Sequence, residues 1–87
     1  MRPLRLIVSS PEGSIFNGDI VSVSLRGVEG DLAILAGHAP FVTAVKPCAV
    51  TIVLSEDETK TAVTGGGIIT VSNDSVTFLC GTFSWNE

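Results

Sequence analysis

The side chains that could do chemistry are few and scattered along the 87 residues of the chain. A serine hydrolase needs a serine, a histidine and an acid that converge. The sequence has one histidine, His38, and no serine in a Gly-x-Ser-x-Gly turn. A structural zinc site needs about four nitrogen or sulfur ligands, and His38 with Cys48 and Cys80 makes an incomplete set. The sequence therefore predicts no catalytic residues and no bound metal.

Two further motifs could suggest ligand sites. Gly65-Gly66-Gly67 lacks the Gly-Lys-Ser/Thr that completes a phosphate-binding loop, and a strand-like segment follows it. We interpret it as room for close backbone approach or a bulge. The acids of Glu56-Asp57-Glu58 are interpreted as a solvated hairpin tip, because a small sandwich offers little cleft for paired carboxylates. No cofactor and no small-molecule substrate are predicted.

The two cysteines lie 32 residues apart and form no C-x-x-C pair. Free cysteine usually behaves as a small buried hydrophobe, which is the interpretation we favour for Cys48 and Cys80. A disulfide between them stays open.

A lipoyl- or biotinyl-type carrier domain is the alternative from another functional class. Such domains are acidic, all-β and of similar length, and they present the modified lysine on a tight hairpin. The candidate lysines here are Lys46, in Ala44-Val45-Lys46-Pro47, and Lys60, in Glu58-Thr59-Lys60-Thr61. Neither flank fits such a hairpin well.

The composition predicts one small domain with a partner. The chain is 45% hydrophobic and only 16% charged, with a net charge of −4, so we expect a partner to cover part of its surface. Its basic residues are scattered, which argues against nucleic acid and against an anionic membrane surface. No apolar run approaches the roughly 18–20 residues that span a bilayer. The basic residues are Arg2, Arg5, Arg26, Lys46 and Lys60.

The apolar residues alternate with a period of two, which is typical of β-strands. Val21, Val23 and Leu25, for example, alternate with serines and Arg26. We expect a core of Val23, Leu32, Ile34, Val50, Ile52, Ile69, Val71 and Phe78. Turn residues separate the runs: Ser10-Pro11-Glu12-Gly13, Asn17-Gly18-Asp19, Gly27-Val28-Glu29-Gly30, Gly37-His38-Ala39-Pro40, Ser55 to Lys60, and Ser72-Asn73-Asp74. The sequence predicts an all-β fold, a flattened antiparallel β-sandwich or barrel of about ten short strands.

One segment carries a recognisable signature. Residues 27–40 read Gly-Val-Glu-Gly-Asp-Leu-Ala-Ile-Leu-Ala-Gly-His-Ala-Pro, which resembles the G-x-E-G-[DE]-[LF]-x-[IV]-x-x-x-H-x-P signature of the epsilon subunit of F-type ATP synthase. Phe16-Asn17-Gly18, Thr43-Ala44-Val45-Lys46-Pro47, Gly66-Gly67-Ile68 before Val71, and Val76-Thr77-Phe78-Leu79 resemble further family segments in the same order. The likeness extends from about Leu6 to Leu79.

The resemblance implies a non-catalytic central-stalk rotor subunit that couples the gamma subunit to the membrane rotor ring during proton-driven ATP synthesis. It implies an interface with gamma and the ring that contains Glu29, Gly30, Asp31, His38, Ala39, Pro40 and Thr43. It also implies a peripheral position at the cytoplasmic face of a bacterial inner membrane, reached through the complex.

The C-terminal residues depart from the family pattern. After the closing strand the family continues into a helical hairpin to which inhibition of ATP hydrolysis is attributed. The present sequence reads Cys80-Gly81-Thr82-Phe83-Ser84-Trp85-Asn86-Glu87. We expect a sandwich domain over residues 1–81, a short tail over 82–87 and no helical inhibitory domain. We also expect Phe83 and Trp85 to fold back over apolar surface.

Overall fold

The computed structural model describes residues 3–37 and 39–86, which form ten short strands. These are β1 (Leu4–Ser10), β2 (Gly13–Ile20), β3 (Ser22–Gly27), β4 (Gly30–Leu35), β5 (Phe41–Val45), β6 (Cys48–Val53), β7 (Thr59–Thr64), β8 (Gly67–Val71), β9 (Ser75–Cys80) and β10 (Phe83–Trp85). The prediction of an all-β sandwich of about ten strands is confirmed. Within the described ranges, nothing helical is long or apolar enough to cross a membrane.

The strands form one coiled sheet in the order β10-β7-β6-β3-β5-β8-β9-β1-β2, and β4 pairs with β3 beside this path. β3 and β5 share a single residue pair, Gly27 with Val45. That weak link divides the sheet into two halves, one built around β3 and β6 and the other around β8 and β9. Neighbouring strands are antiparallel except β1 and β9, which run parallel. The molecule measures 31 × 29 × 23 Å along its principal axes.

The core lies between the two halves. Alternate residues of both halves point inward, and ten large side chains are less than 2% exposed, including Leu4, Leu6 and Phe78. The predicted core is confirmed at Val23, Ile34, Val50, Ile52, Ile69, Val71 and Phe78. Leu32 is only partly buried, because it lies near the tip of the β3–β4 hairpin, where the inner face opens to solvent.

One predicted turn is wrong. Asn17-Gly18-Asp19 lies inside β2, where Gly18 pairs with Leu6 of β1. Arg5 of β1 donates from its guanidinium to Asn17 Oδ1 at 2.9 Å and approaches Asp19 Oδ1 at 3.2 Å. Cross-strand pairing with β1 therefore outweighs the local turn preference of these residues.

The glycine triplet provides close backbone approach, as predicted. A Cβ at Gly67 would meet the carbonyl oxygen of Leu79 and would lie 2.8 Å from Cys80 Cα. Gly66 has φ of 99° and passes against the carbonyl oxygen of Val45. Larger residues would therefore push β8 away from its neighbours.

The segment after Cys80 adds a strand to the sheet. Phe83–Trp85 form β10, which pairs with β7 in the register Ser84 with Val63. Phe83 and Trp85 are partly buried and pack against the core, so the expectation that they fold back over apolar surface is confirmed.

Candidate functional site

The β3–β4 hairpin is the predicted turn at Gly27-Val28-Glu29-Gly30. Gly27 pairs with Gly30, so Val28 and Glu29 form a two-residue tip, and Gly30 takes φ of 141°, which a residue with a Cβ adopts only with strain. Arg26 Nε donates to Asp31 Oδ1 at 2.9 Å across the hairpin. Both side chains are more than half exposed, so this ion pair orients Asp31 but adds little stability.

A groove of about 450 Å³ lies between the start of β4 and the first residues of β5. Glu29, Gly30 and Asp31 line one wall, and Thr43 of β5 lines the other. Thr43 is half-buried and pairs with Ile69. The structure thus brings four of the seven predicted interface residues together around one opening.

The remaining predicted interface residues do not join this groove. Ala39 and Pro40 are exposed in the link between β4 and β5 and are not among the residues that line the groove, although Phe41, the next residue along the chain, is. His38 lies outside the described residues.

Sequence reasoning missed an apolar patch on the outside of the second half. Val42 is 65% exposed, Ile68 51% and Leu79 56%. Ile68 pairs directly with Leu79, and Ala44 of β5 pairs with Ile68, so the side chains lie on one face of β5, β8 and β9. The signal was present in the sequence: a strand that is apolar at consecutive positions, as in Ile68-Ile69, is typical of a sheet covered on both faces.

The two cysteines take ordinary structural positions. Both cysteines are free, Cys80 buried and Cys48 half-buried, so the prediction of burial is confirmed for Cys80 alone. Cys48 Sγ accepts from the backbone N–H of Arg26 at 3.4 Å. Burial raises the pKa of the Cys80 thiol above its ordinary value of 9.0, against a smaller opposing effect of its hydrogen bond with Thr64.

The described part of the chain assembles no cluster of metal ligands, and its lysines take ordinary structural positions. No group of three or more His, Cys, Asp or Glu residues there is close enough to hold a metal ion. Lys60 lies within β7 with its Nζ 5.1 Å from the centre of the Trp85 ring. Lys46 directs its backbone N–H to Arg26 O, in the two-residue link between β5 and β6. The carrier-domain alternative is not supported.

Comparison with known proteins identifies relatives of this fold. The family model described as ATP synthase, Delta/Epsilon chain, beta-sandwich domain matches residues 3–86. The ATP synthase epsilon chains of Clostridium perfringens strains SM101 and ATCC 13124 are each 34% identical over the whole of this chain. The chain spans 65% of the length of these relatives.

Solved structures share the same architecture. A chain of the Euglena gracilis mitochondrial ATP synthase, in its OSCP/F1/c-ring assembly, superimposes with a TM-score of 0.91 and 18% identity, covering 98% of this chain and 54% of that one. A chain of the Tetrahymena thermophila mitochondrial ATP synthase central stalk and c-ring gives a TM-score of 0.79 and 13% identity, covering 92% and 64%. These structures show the same fold, and the family-model match over residues 3–86 places the chain in the family of ATP synthase Delta/Epsilon chain β-sandwich domains.

Proposed function

We propose that this chain is a non-catalytic subunit of the central stalk of a rotary ATP synthase and that it couples the gamma subunit to the membrane rotor ring. The observation that carries the proposal is the apolar patch of Val42, Ile68 and Leu79 on a domain of this family. Single exposed apolar residues are ordinary, but a contiguous set on one face is typical of a protein interface.

The proposal assigns different partners to different surfaces. The apolar patch binds the gamma subunit, because an uncharged face of exposed aliphatic side chains suits a permanent interface. The hairpin tip with Glu29 and Asp31 contacts polar and basic loops of the rotor ring. We assign Ala39, Pro40 and Thr43 to the same interface, and we also assign His38 to it on the family resemblance. Membership of such a complex places the chain at a membrane, and we propose the cytoplasmic face of a bacterial inner membrane.

A binding experiment with matched variants tests the gamma assignment. Ile68→Lys or Leu79→Lys should weaken binding to purified gamma subunit at least tenfold, because each places a charge in the apolar interface. Val63→Lys is the control, since Val63 is 48% exposed on the outer face of the other half, and it should bind as the wild type does. Equal affinity of all three variants would contradict the assignment.

A pull-down from membranes tests the complex as a whole. The tagged wild-type chain should recover the gamma subunit together with the catalytic alpha and beta subunits. Recovery of none of them by a folded chain would reject the proposed function.

A further inference from the structure

β4 leaves one long edge of the sheet without a neighbouring strand. Among the described strands, β2, β10 and β4 pair with a neighbour on one side only. An unpaired row of backbone N–H and C=O groups is a template on which another chain can add a strand. Whether such an edge is available depends on what covers or interrupts it.

The edges of β2 and β10 cover each other. The Phe16 ring of β2 lies edge-on to the Trp85 ring of β10, with 6.0 Å between centroids. β10 has only three residues, and the pairing of β2 with β1 shifts register between Val8 and Ser9. Short length, a bulge and an aromatic cover are devices that keep sheet edges from pairing with other chains.

β4 has none of these protections. Its six residues carry neither lysine nor proline, and they pair with β3 without a register shift from Leu35 to Gly30. Asp31, Ala33 and Leu35 are all exposed. This edge is therefore open along the full length of the strand.

The pairing of β3 shows which groups of β4 point outward. Arg26 donates its backbone N–H to Cys48 Sγ, and its carbonyl oxygen accepts from the backbone N–H of Lys46. Even-numbered residues of β3 thus direct their backbone groups away from β4. Because these groups alternate in an antiparallel pair, the β4 residues opposite them, Asp31, Ala33 and Leu35, direct their N–H and C=O groups to the open edge.

The groove beside this edge provides space and charge for an incoming segment. Leu32 and Phe41 are half-buried at its apolar lining, and Glu29 stands at its end. Arg26 forms an ion pair with Asp31 and balances the charge of its carboxylate, whereas the described residues show no ion pair to Glu29. A second copy of the chain would bring a second net charge of −4, so charge complementarity favours a basic partner.

We propose that the β4 edge binds an extended segment of a partner protein as an added β-strand, with a basic side chain opposite Glu29 and an apolar side chain over Leu32. This inference rests on the proposed function, because it specifies how one part of the stalk interface is formed. Backbone hydrogen bonds to Asp31, Ala33 and Leu35 supply the pairing, and the groove selects the side chains.

Solvent-exchange NMR on the isotope-labelled chain tests the backbone pairing. The probe is a capped six-residue peptide of alternating lysine and valine. At a peptide concentration of ten times the dissociation constant, exchange of the Ala33 and Leu35 amide protons should slow about tenfold. Exchange of the Ile34 amide proton, which points toward β3, should not change. The same peptide with alternate amides N-methylated should give less than twofold slowing. Equal slowing by both peptides, or slowing by neither, would overturn the inference.

Two further measurements distinguish which kind of chain binds to the β4 edge. A peptide with glutamate in place of lysine should bind at least tenfold more weakly, and equal binding would overturn the charge requirement. Slowing of the same amides by raising the concentration of the chain alone would identify a second copy as the occupant and overturn the choice of partner.

The Ala33→Pro variant links the edge to the proposed function. Proline removes the outward N–H of Ala33 without breaking a bond to β3, and proline is tolerated on edge strands. Ala33→Ser keeps the N–H and is the matched control. If a folded Ala33→Pro chain binds the purified stalk and ring as tightly as Ala33→Ser, the inference fails while the proposed function stands. If the wild-type chain also fails to bind, the proposed function fails.

Discussion

Phe16 of β2 and Trp85 of β10 join the two ends of the coiled sheet. Their ring centroids are 6.0 Å apart with an interplanar angle of 64°, and Phe83 adds a second edge-on contact to Trp85 at 5.0 Å. Lys60 covers the indole from the solvent side. This aromatic seam closes the sandwich between strands that have no hydrogen bonds to each other.

Trp85→Ala should destabilise the chain by about 2 kcal/mol. Removing a fully buried tryptophan costs about 3–5 kcal/mol, and Trp85 is only partly buried. Urea unfolding followed by circular dichroism measures the change, and Ser84→Ala on the same strand should cost less than about 0.5 kcal/mol. In a double-mutant cycle, Phe16 and Trp85 should couple by about 1 kcal/mol. Independent effects of the two substitutions would contradict closure by this seam.

Gly67→Ala should destabilise the fold by about 3 kcal/mol, because the added methyl group would overlap the backbone of β9 at Leu79 and Cys80. Gly81→Ala is the control, since a Cβ there would have no atom within 4 Å. Thermal unfolding of both variants makes the comparison. Equal melting temperatures would mean that the β8–β9 contact is looser than the structure shows.

Glu29→Lys should weaken coupling without unfolding the chain. Glu29 lies at an exposed hairpin tip, and charges at the rim of an interface chiefly affect association rate and salt dependence. ATP-driven proton pumping in reconstituted membranes should fall, and the loss should depend on ionic strength. Glu56→Lys, at the opposite end of the sandwich, is the matched control. Unchanged pumping and attachment at low and high salt would return Glu29 to the role of a solvated turn residue.

Alkaline pH should destabilise the chain through Cys80. The pKa of its thiol is raised by burial above 9.0, so above pH 9.0 the unfolded chain ionises while the folded chain stays protonated. The contribution of the protonated Cys80 thiol to the free energy of unfolding is therefore complete below pH 9.0. It is lost as the pH rises through the pKa of this thiol in the folded chain. Urea midpoints at about pH 8 and about pH 10 measure the slope. Cys80→Ala should lower the free energy of unfolding at every pH, but this free energy should then depend less on pH. Cys48→Ala keeps Cys80 and should keep the pH dependence of the wild type.

The sequence by itself determined the fold class, most of the core and the family resemblance. Alternation at Val23, Ile34 and Phe78 assigns the inner face locally, because successive side chains of a strand point to opposite faces. The turn at Gly27 to Gly30 is equally local, since it needs only two glycines at a hairpin.

Only the tertiary structure decided how these elements meet. Asn17-Gly18-Asp19 became part of a strand because the chain turns earlier, between Ser10 and Gly13, and β1 pairs with β2 along its whole length. The groove between Leu32 and Thr43 and the open edge of β4 both depend on which strands become neighbours. That choice is made by long-range pairing and by the coiling of the sheet, and residue patterns within one strand do not encode it.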